Sequence, residues 1–564
     1  MKVIIIGGVA GGASAAARLR RLDEEAEIIL LERGGYISYA NCGLPYYIGG
    51  EITEEEALTL QTPESFHARF RIDVRIHHEA IAIDTAAKTI TVRDHALNRE
   101  YTESYEKLIL SPGAAPASPP LEGKEHPRVH TLRTIPDAKR IREQIMQEHP
   151  RNAVVVGGGF IGLEMAENLV REGVAVTLVE FAPHVMAALD ADMAADVHHY
   201  LRRQGVSLRL GRAVKALVPA GDSLEAVLDG GERIPADLVL LATGVRPDTG
   251  IAEEAGLALN KRGAILVDEH MRTSAPDVYA VGDAIEVRHL VSGAPAFIPL
   301  AGPANKQGRI AADNIAGIPS VFKGSQGSSV LKLFDLTVAS TGLSEEAARA
   351  AGIDCDKMFT FSPSHATYYP GASSMSIKTV FARETGRILG AQLVGFEGVD
   401  KRCDVLATAI RAGMTAHDLT ELELCYAPPF SSAKDPVNMA GFAIANVLDG
   451  HISQFHWHDV AGVLEDESAI LLDVRTVGEY RRGHIEGSHH IPLDSLRDRI
   501  HELPTGKRIF VHCQSGLRSY VACRILAQKG FDCANLSGGY RLYASVAGDL
   551  GPDQLPRHAC GVKV

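Results

Sequence analysis

At 564 residues the chain is too long for one hydrophobic core, and a prior of about 150 residues per domain predicts three or four domains. A formal net charge of −13 argues against nucleic acid as a general partner, so an anionic ligand would need a local basic patch. No apolar run reaches the roughly 18 residues of a membrane helix, and eight scattered cysteines predict a reducing, cytoplasmic setting with thiols free for chemistry.

The opening stretch KVIIIGG reads as a buried parallel strand, β-branched and closed by glycine, rather than as a leader peptide. The turn GGVAGG, with Gly7, Gly8, Gly11 and Gly12, runs into an alanine-rich helix. Such a turn brings backbone N–H groups and a helix N-terminus against a pyrophosphate. It departs from G-x-G-x-x-G in having Val9 at the middle glycine. The next predicted strand, EIILLER, ends in Glu32 and Arg33, with Glu32 spaced to bind ribose hydroxyls.

The pattern then repeats. AVVVGGGFIGLEMAENL holds a full G-x-G-x-x-G at Gly157, Gly159 and Gly162, and VTLVE ends in Glu180. An acid there accepts from a 2′-hydroxyl and repels a 2′-phosphate, and Phe181 and Ala182 follow instead of arginine. NADH is therefore favoured, with NADPH possible. Two strand-to-turn crossings flank this second unit: LILSPGAAP, with Ser111 and Gly113, and LVLLATGVRPD, with Gly244. TSAPDVYAVGDA follows and supplies Gly282 and Asp283.

This order resembles the flavoprotein disulfide reductase family with two dinucleotide-binding domains, over roughly residues 1 to 450. The resemblance implies an α/β fold of two nested Rossmann-like domains. FAD-binding is expected over 1–112 and 245–322, NAD(P)H-binding over 113–244, and an α+β dimerisation domain over 323–450. In that family the aspartate of YAVGD, here Asp283, holds the flavin ribityl chain. The glycines above, with Glu32, Arg33, Ser111 and Glu180, complete the implied cofactor-binding set.

In SYANCGLPYY the chain offers one cysteine, Cys42, where members that reduce internal disulfides carry C-x-x-x-x-C. Lacking a neighbouring thiol, Cys42 would be oxidised to a sulfenate, a persulfide or a mixed disulfide with an external thiol. Asn41 before it and LPY after it resemble the coenzyme A disulfide reductase and NADH-dependent persulfide reductase group. NADH oxidases and peroxidases share the single cysteine, so a sulfenic acid cycle is the alternative. Ser14, Arg18 and Arg21 fall at i, i+4 and i+7 on one helix face, and guanidinium forks suit the phosphates of coenzyme A. Solvated surface charge is the other reading of those arginines. The resemblance extends coenzyme A contacts to Ser38, Asn41, Asn305 and Lys434.

From about residue 325, β-rich runs with turn signals lead into helices. Tyr368 in HATYYPG and Tyr426 in LCYAPPFS match a family pair that reaches the partner subunit's active site, which implies a homodimer with the site completed in trans. A phenol there could donate to a leaving thiolate. Tyr369 reads as packing.

Residues 451–460, within HISQFHWHDV, read as a linker, 461–550 as a separate unit and 551–564 as a tail holding Cys560. The unit resembles a rhodanese domain, with D-V-R at Asp473 to Arg475 and C-x-x-G-x-R-S at Cys513 to Ser519. A strand, a tight loop and a helix would aim backbone N–H groups at the Cys513 sulfur. Cysteine phosphatases of related fold have a longer C-x-x-x-x-x-R loop, whereas only four residues separate Cys513 from Arg518, which suits one sulfur atom. Arg518 would add positive potential and Arg475 would chiefly organise the loop. Cys355, Cys403, Cys425, Cys523 and Cys533 read as buried structural thiols, and no metal site is expected.

The reading that joins these parts is a FAD-dependent NAD(P)H oxidoreductase reducing coenzyme A persulfide, polysulfide or coenzyme A disulfide at Cys42. It would release hydrogen sulfide or thiol and carry a sulfurtransferase-type rhodanese domain. The alternatives are the oxidase or peroxidase, or a rhodanese whose flavoprotein half recycles its carrier thiol. Neither nucleic acid nor a membrane is an expected partner.

Overall fold

Strand β1 (Lys2–Ile6) buries Val3, Ile4 and Ile5 completely, and a strand apolar on both faces belongs in a parallel sheet covered by helices. Helix α1 (Ala10–Arg20) follows, then β2 (Glu27–Glu32), which pairs with β1 in parallel. The short helix α2 (Leu44–Ile48) precedes β3 (Asp73–Ile76), which pairs with β2, while β4 (Lys107–Leu110) pairs with the other side of β1. The chain then builds a second parallel sheet from β5 (Val129–His130), β6 (Asn152–Val156) and β7 (Ala175–Glu180), with helices α3 (Ile135–Glu148) and α4 (Phe160–Arg171) between them.

Helix α5 (Ala191–Arg203) comes next, and β8 (Leu238–Leu241) closes the second sheet between β6 and β5. Only then does β9 (Val278–Ala280) return to β4, so the first sheet runs β9-β4-β1-β2-β3 with the second nested inside it in sequence. Helix α6 (Ala301–Ile315) packs on α1. That crossing needs glycine, because a Cβ on Gly308 would lie 2.3 Å from the Gly11 carbonyl oxygen. The nested α/β expectation is borne out.

An antiparallel sheet follows, in the order β10 (Ser329–Leu333), β11 (Leu336–Gly342), β14 (Ile388–Gly395), β13 (Ser374–Ala382), β12 (Cys355–Pro363). Helices α7 (Val399–Ala412) and α8 (Pro436–Leu448) pack against it. The last sheet is parallel and comprises β15 (Ser453–Phe455), β16 (Ala469–Asp473), β17 (His489–His490), β18 (Arg508–His512) and β19 (Cys533–Leu536), ordered β15-β19-β18-β16-β17. Helices α9 (Leu517–Gln528) and α10 (Gly539–Leu550) complete it. This computed structural model describes residues 1–550, so Cys560 and the expected tail lie outside the described residues.

The described chain divides into two compact units, residues 1–181 with 212–327 and residues 182–211 with 328 onward. Within the second unit α5 packs on β14 and α10. The linker reading of 451–460 is corrected. Phe455 and its neighbours form β15 alongside β19, and Trp457 is 2% exposed with its Nε1 donating to Asp192 at 3.3 Å. A buried indole and a paired strand fix that stretch into the fold.

A charge cluster underlies this second unit. Fully buried Lys378 places its Nζ 2.9 Å from Asp190, Asp192 and Glu345, and Lys357 reaches Glu345 at 2.7 Å. Burial alone would raise the Glu345 carboxyl, but the Lys378 and Lys357 charges hold it well below the usual carboxylate range. Several carboxylate oxygens sharing two ammonium groups satisfy the condition under which buried charge is tolerated.

Candidate active sites

At the first glycine turn Gly7 has φ +97°, and a Cβ there would sit 2.1 Å from the Ser111 carbonyl oxygen. The tight turn brings Glu32 to the helix entrance, where its carboxylate accepts from Gly8 N–H at 2.9 Å and Gly34 N–H at 2.8 Å. Glu180 repeats the arrangement by accepting from Gly158 N–H at 2.5 Å. No side chain caps the N-terminus of α1 or α4, and a Cβ on Gly159 would meet nothing within 4 Å. Uncapped helix N–H groups beside open space fit a dinucleotide pyrophosphate.

Gly12 and Gly162 fit close helix-to-turn packing, since a Cβ on either would lie 1.9 Å from the carbonyl oxygen of Gly7 or Gly157. Asp283 sits on the short turn after β9, beside Gly282, whose N–H donates to Gln307 at 2.9 Å. Burial pushes the Asp283 carboxyl up, opposed by the Arg133 guanidinium 3.5 Å away. Arg33 pairs with Asp248 at 2.6 Å, while Gly113 and Gly244 have positive φ at the two crossings.

Cys42 lies on a one-turn 3-10 helix, Asn41–Gly43, directly ahead of α2, which packs on α3 and α4. The residue is exposed, yet protein around the thiol pushes its pKa up, and the Glu164 and Asp283 charges add to that against Arg133. Glu164, on α4, is itself pushed up to about 7 by burial and by the Glu167 charge. Sequence reasoning missed Glu164, although it stands two residues after Gly162 and its helical position was readable. The Asn41 amide oxygen is buried without a hydrogen-bond partner among the described residues. A polar atom so placed beside an exposed thiol is a group waiting for a donor.

The α1–α6 crossing assembles much of the expected anion-binding face. Ser14 Oγ donates to Asn305 at 2.8 Å, and Arg21 is exposed at the end of α1. Arg18 commits its Nε to Asp313 at 2.7 Å, so only its other nitrogens remain for an anion. Ser38 joins the glycine turn by donating its N–H to the Gly8 carbonyl at 2.8 Å.

In the second unit Tyr368 and Tyr426 share a hydrogen bond of 2.7 Å between their hydroxyls while being 74% and 48% exposed. That bond is the main reason the Tyr368 phenol is raised. Tyr369 packs edge-on against His365. Lys434 is exposed, with its ammonium 6.0 Å from the Phe442 ring. Cys425, beside Tyr426, is exposed, which corrects its reading as a buried thiol, and Cys533 is half-buried.

The Cys513 loop is closed and local. Cys513 is 1% exposed, and its Sγ accepts from Gly516 N–H at 3.1 Å and from Ser519 Oγ at 3.3 Å. Gly516 reaches that geometry at φ +103°. Arg518 makes a two-pronged pair with Glu479 at 2.7 and 2.8 Å, which holds the Glu479 carboxyl down to about 2. Arg475 is buried, bound to Asp473 at 2.7 Å and stacked 3.9 Å from the Tyr540 ring, an organising role. No cluster among the described residues could hold a metal ion, and no described helix is long and apolar enough to cross a membrane.

Nested nucleotide folds preceding a separate α/β unit that closes a loop on Cys513 define a flavoprotein-type oxidoreductase with an appended rhodanese-like domain. The chain belongs to the pyridine nucleotide-disulphide oxidoreductase family, matched over residues 1–307, with the family's dimerisation domain at 328–436 and a rhodanese-like domain at 457–545. A coenzyme A disulfide reductase of Staphylococcus aureus is 35% identical over 442 residues, covering 78% of this chain and 99% of that protein. The reduced Bacillus anthracis CoADR-RHD structure shares 49% identity with a TM-score of 0.95, covering 97% of this chain and 98% of that one. An NAD-dependent persulfide reductase from A. fulgidus shares 40% identity with a TM-score of 0.90, covering 96% of this chain and all of that one. The resemblance to this group within the family is therefore borne out.

Proposed function

We propose that the chain is an NADH-dependent flavoprotein that reduces coenzyme A persulfide, polysulfide or coenzyme A disulfide at Cys42, with Cys513 acting as a sulfur acceptor. The observation that carries this reading is the pairing of one exposed thiol, Cys42, with one enclosed and cradled thiol, Cys513, in a single chain. Bound on the two glycine turns, FAD and NADH would supply a pair of electrons. Glu32 and Glu180 would hold the ribose hydroxyls, and Asp283 the flavin side chain. The corresponding domains are 1–112 with 245–322 for FAD and 113–244 for NADH.

With a persulfide, the Cys42 thiolate attacks the outer sulfur, forming Cys42–S–SH and releasing the carrier thiolate. Two electrons then give the Cys42 thiolate and HS⁻. With coenzyme A disulfide the same attack forms Cys42–S–S–CoA and releases one coenzyme A thiolate, and two electrons release the other. Asn41 would accept from the substrate, and Ser14, Arg18, Arg21, Ser38, Asn305 and Lys434 would bind its polar and phosphate groups. In a homodimer the hydrogen-bonded Tyr368 and Tyr426 would serve the partner's Cys42, donating to the leaving thiolate. At Cys513 the thiolate would take the outer sulfur of a donor such as thiosulfate, releasing sulfite. Loop N–H groups and Arg518 would stabilise the resulting persulfide anion. A cytoplasmic setting would keep both thiols reduced.

The test is anaerobic NADH oxidation by purified protein with coenzyme A persulfide or coenzyme A disulfide, following sulfide release. We expect Cys42→Ser to lower turnover of both substrates by at least about 1,000-fold, and Cys513→Ser to spare a persulfide supplied ready-made. Equal loss with both variants would overturn the assignment.

A further inference from the structure

The second unit contains a cavity of about 600 Å³ that none of these roles uses. Its walls come from α5, from β11, β13 and β14, and from the start of α10. That volume is in the range of small-ligand sites. The charged groups facing it are Asp196, His199, Arg202, Arg203 and Arg541. Three of these are committed to protein partners. Asp196 accepts from the Ser376 and Ser545 hydroxyls at 2.9 and 2.6 Å, Arg202 pairs with Asp549 at 2.5 Å, and His199 bonds the Ser545 carbonyl at 2.8 Å.

Arg203 and Arg541 have no carboxylate within ion-pair distance among the described residues. Arg541 lies over the Phe361 ring at 4.4 Å and donates to the Ser374 hydroxyl at 2.7 Å. Its other nitrogens have no hydrogen-bond partner among the described residues. The nearest charge acting on Arg541 is the Asp196 carboxylate, already accepting from two hydroxyls, and a half-buried guanidinium with open N–H donors suits a phosphate. Arg203 lies over the Tyr200 ring at 5.6 Å. Phe396, also on the cavity wall, is 42% exposed and braced edge-on by Tyr200 at 5.8 Å, so part of its ring remains open to a ligand.

The cavity wall is also tied to the Cys513 loop. Tyr540 N–H donates to the Cys513 carbonyl at 2.8 Å, and Arg541 N–H to the Gln514 carbonyl at 3.0 Å. A ligand on the Arg541 side chain is thus held by the residue that also braces the sulfur-handling loop.

We propose that this cavity binds a nucleotide phosphate, with the base against Phe396 and the phosphate on Arg203 and Arg541, as the anchor for a nucleotide-bearing carrier thiol that accepts sulfur from Cys513. The carrier clause rests on the function proposed above; the binding site does not. Ring stacking and a two-arginine phosphate clamp require both halves of a nucleotide.

Equilibrium dialysis of the full-length protein with adenosine 3′,5′-diphosphate tests the site without needing any activity. We expect Arg203→Glu, Arg541→Gln and Phe396→Ala each to remove one class of sites per chain or weaken it at least about tenfold, with unchanged melting temperature. Inorganic phosphate or thiosulfate competing as well as the nucleotide would make this a general anion site and overturn the nucleotide assignment. Unchanged binding in all three variants would overturn the site itself. For the carrier role, sulfur transfer from thiosulfate is compared with coenzyme A and cysteamine as acceptors. A rise in KM for coenzyme A alone is the expected result, and an equal rise for both would overturn the anchor.

Discussion

Cys42 stands exposed on a single 3-10 turn, with burial around its sulfur and the Glu164 and Asp283 charges all pushing the thiol up. Cys513 is enclosed, and its sulfur already accepts from a backbone N–H and a hydroxyl within six residues of itself. The difference shows two ways of preparing a thiol. The Cys513 loop is self-sufficient, because the loop's Gly516 and helix α9's Ser519 supply its donors locally. Cys42 depends on remote parts of the fold and on what binds beside it, since its acidic neighbours come from α4 and from the turn after β9.

Removing the charge cluster beneath the second unit should separate the two sites most sharply. Lys378→Met leaves Asp190, Asp192 and Glu345 short of their shared cation, and loss of one partner of a buried ion pair costs about 3–5 kcal/mol. Denaturant unfolding should show that loss in the transition that reports the second unit, with sulfur transfer lost before NADH-linked flavin reduction. Loss of both together at low denaturant would break the comparison.

Glu164→Gln addresses the exposed thiol. The Glu164 carboxyl is neutral below about pH 7 and gains its charge above it, where that charge opposes the Cys42 thiolate. The variant should therefore alkylate faster than wild type above pH 7, up to about tenfold for each unit by which the thiol pKa falls, and equally below it. Identical pH profiles would remove Glu164 from the account. The smallest effect belongs to the local cradle. Ser519→Ala removes one donor of about 1 kcal/mol, which predicts roughly fivefold slower alkylation of Cys513 and no change at Cys42.

Much of the fold was legible because its signals are short-range. Gly7 and Gly157 must take positive φ at the two nucleotide turns, each acid follows at the end of the next strand, and C-x-x-G-x-R-S packs its donors into seven residues. The stretch around Trp457 was read as a linker because β15 is only three residues long, and its strand character comes from pairing with β19. Cys425 reads as apolar by type, and its exposure is decided by the loop that carries Tyr426.

By itself the sequence determined the two nucleotide turns, the single thiol at Cys42 and the closed loop at Cys513, since each is a run of neighbouring residues whose backbone geometry leaves few choices. Tertiary structure alone decided that Lys378 neutralises Asp192 from 186 residues away, that Trp457 is buried against Asp192, and that Arg203 and Arg541 face one cavity. Those outcomes depend on burial, which acts on charges brought together by packing and leaves no periodic mark in the chain.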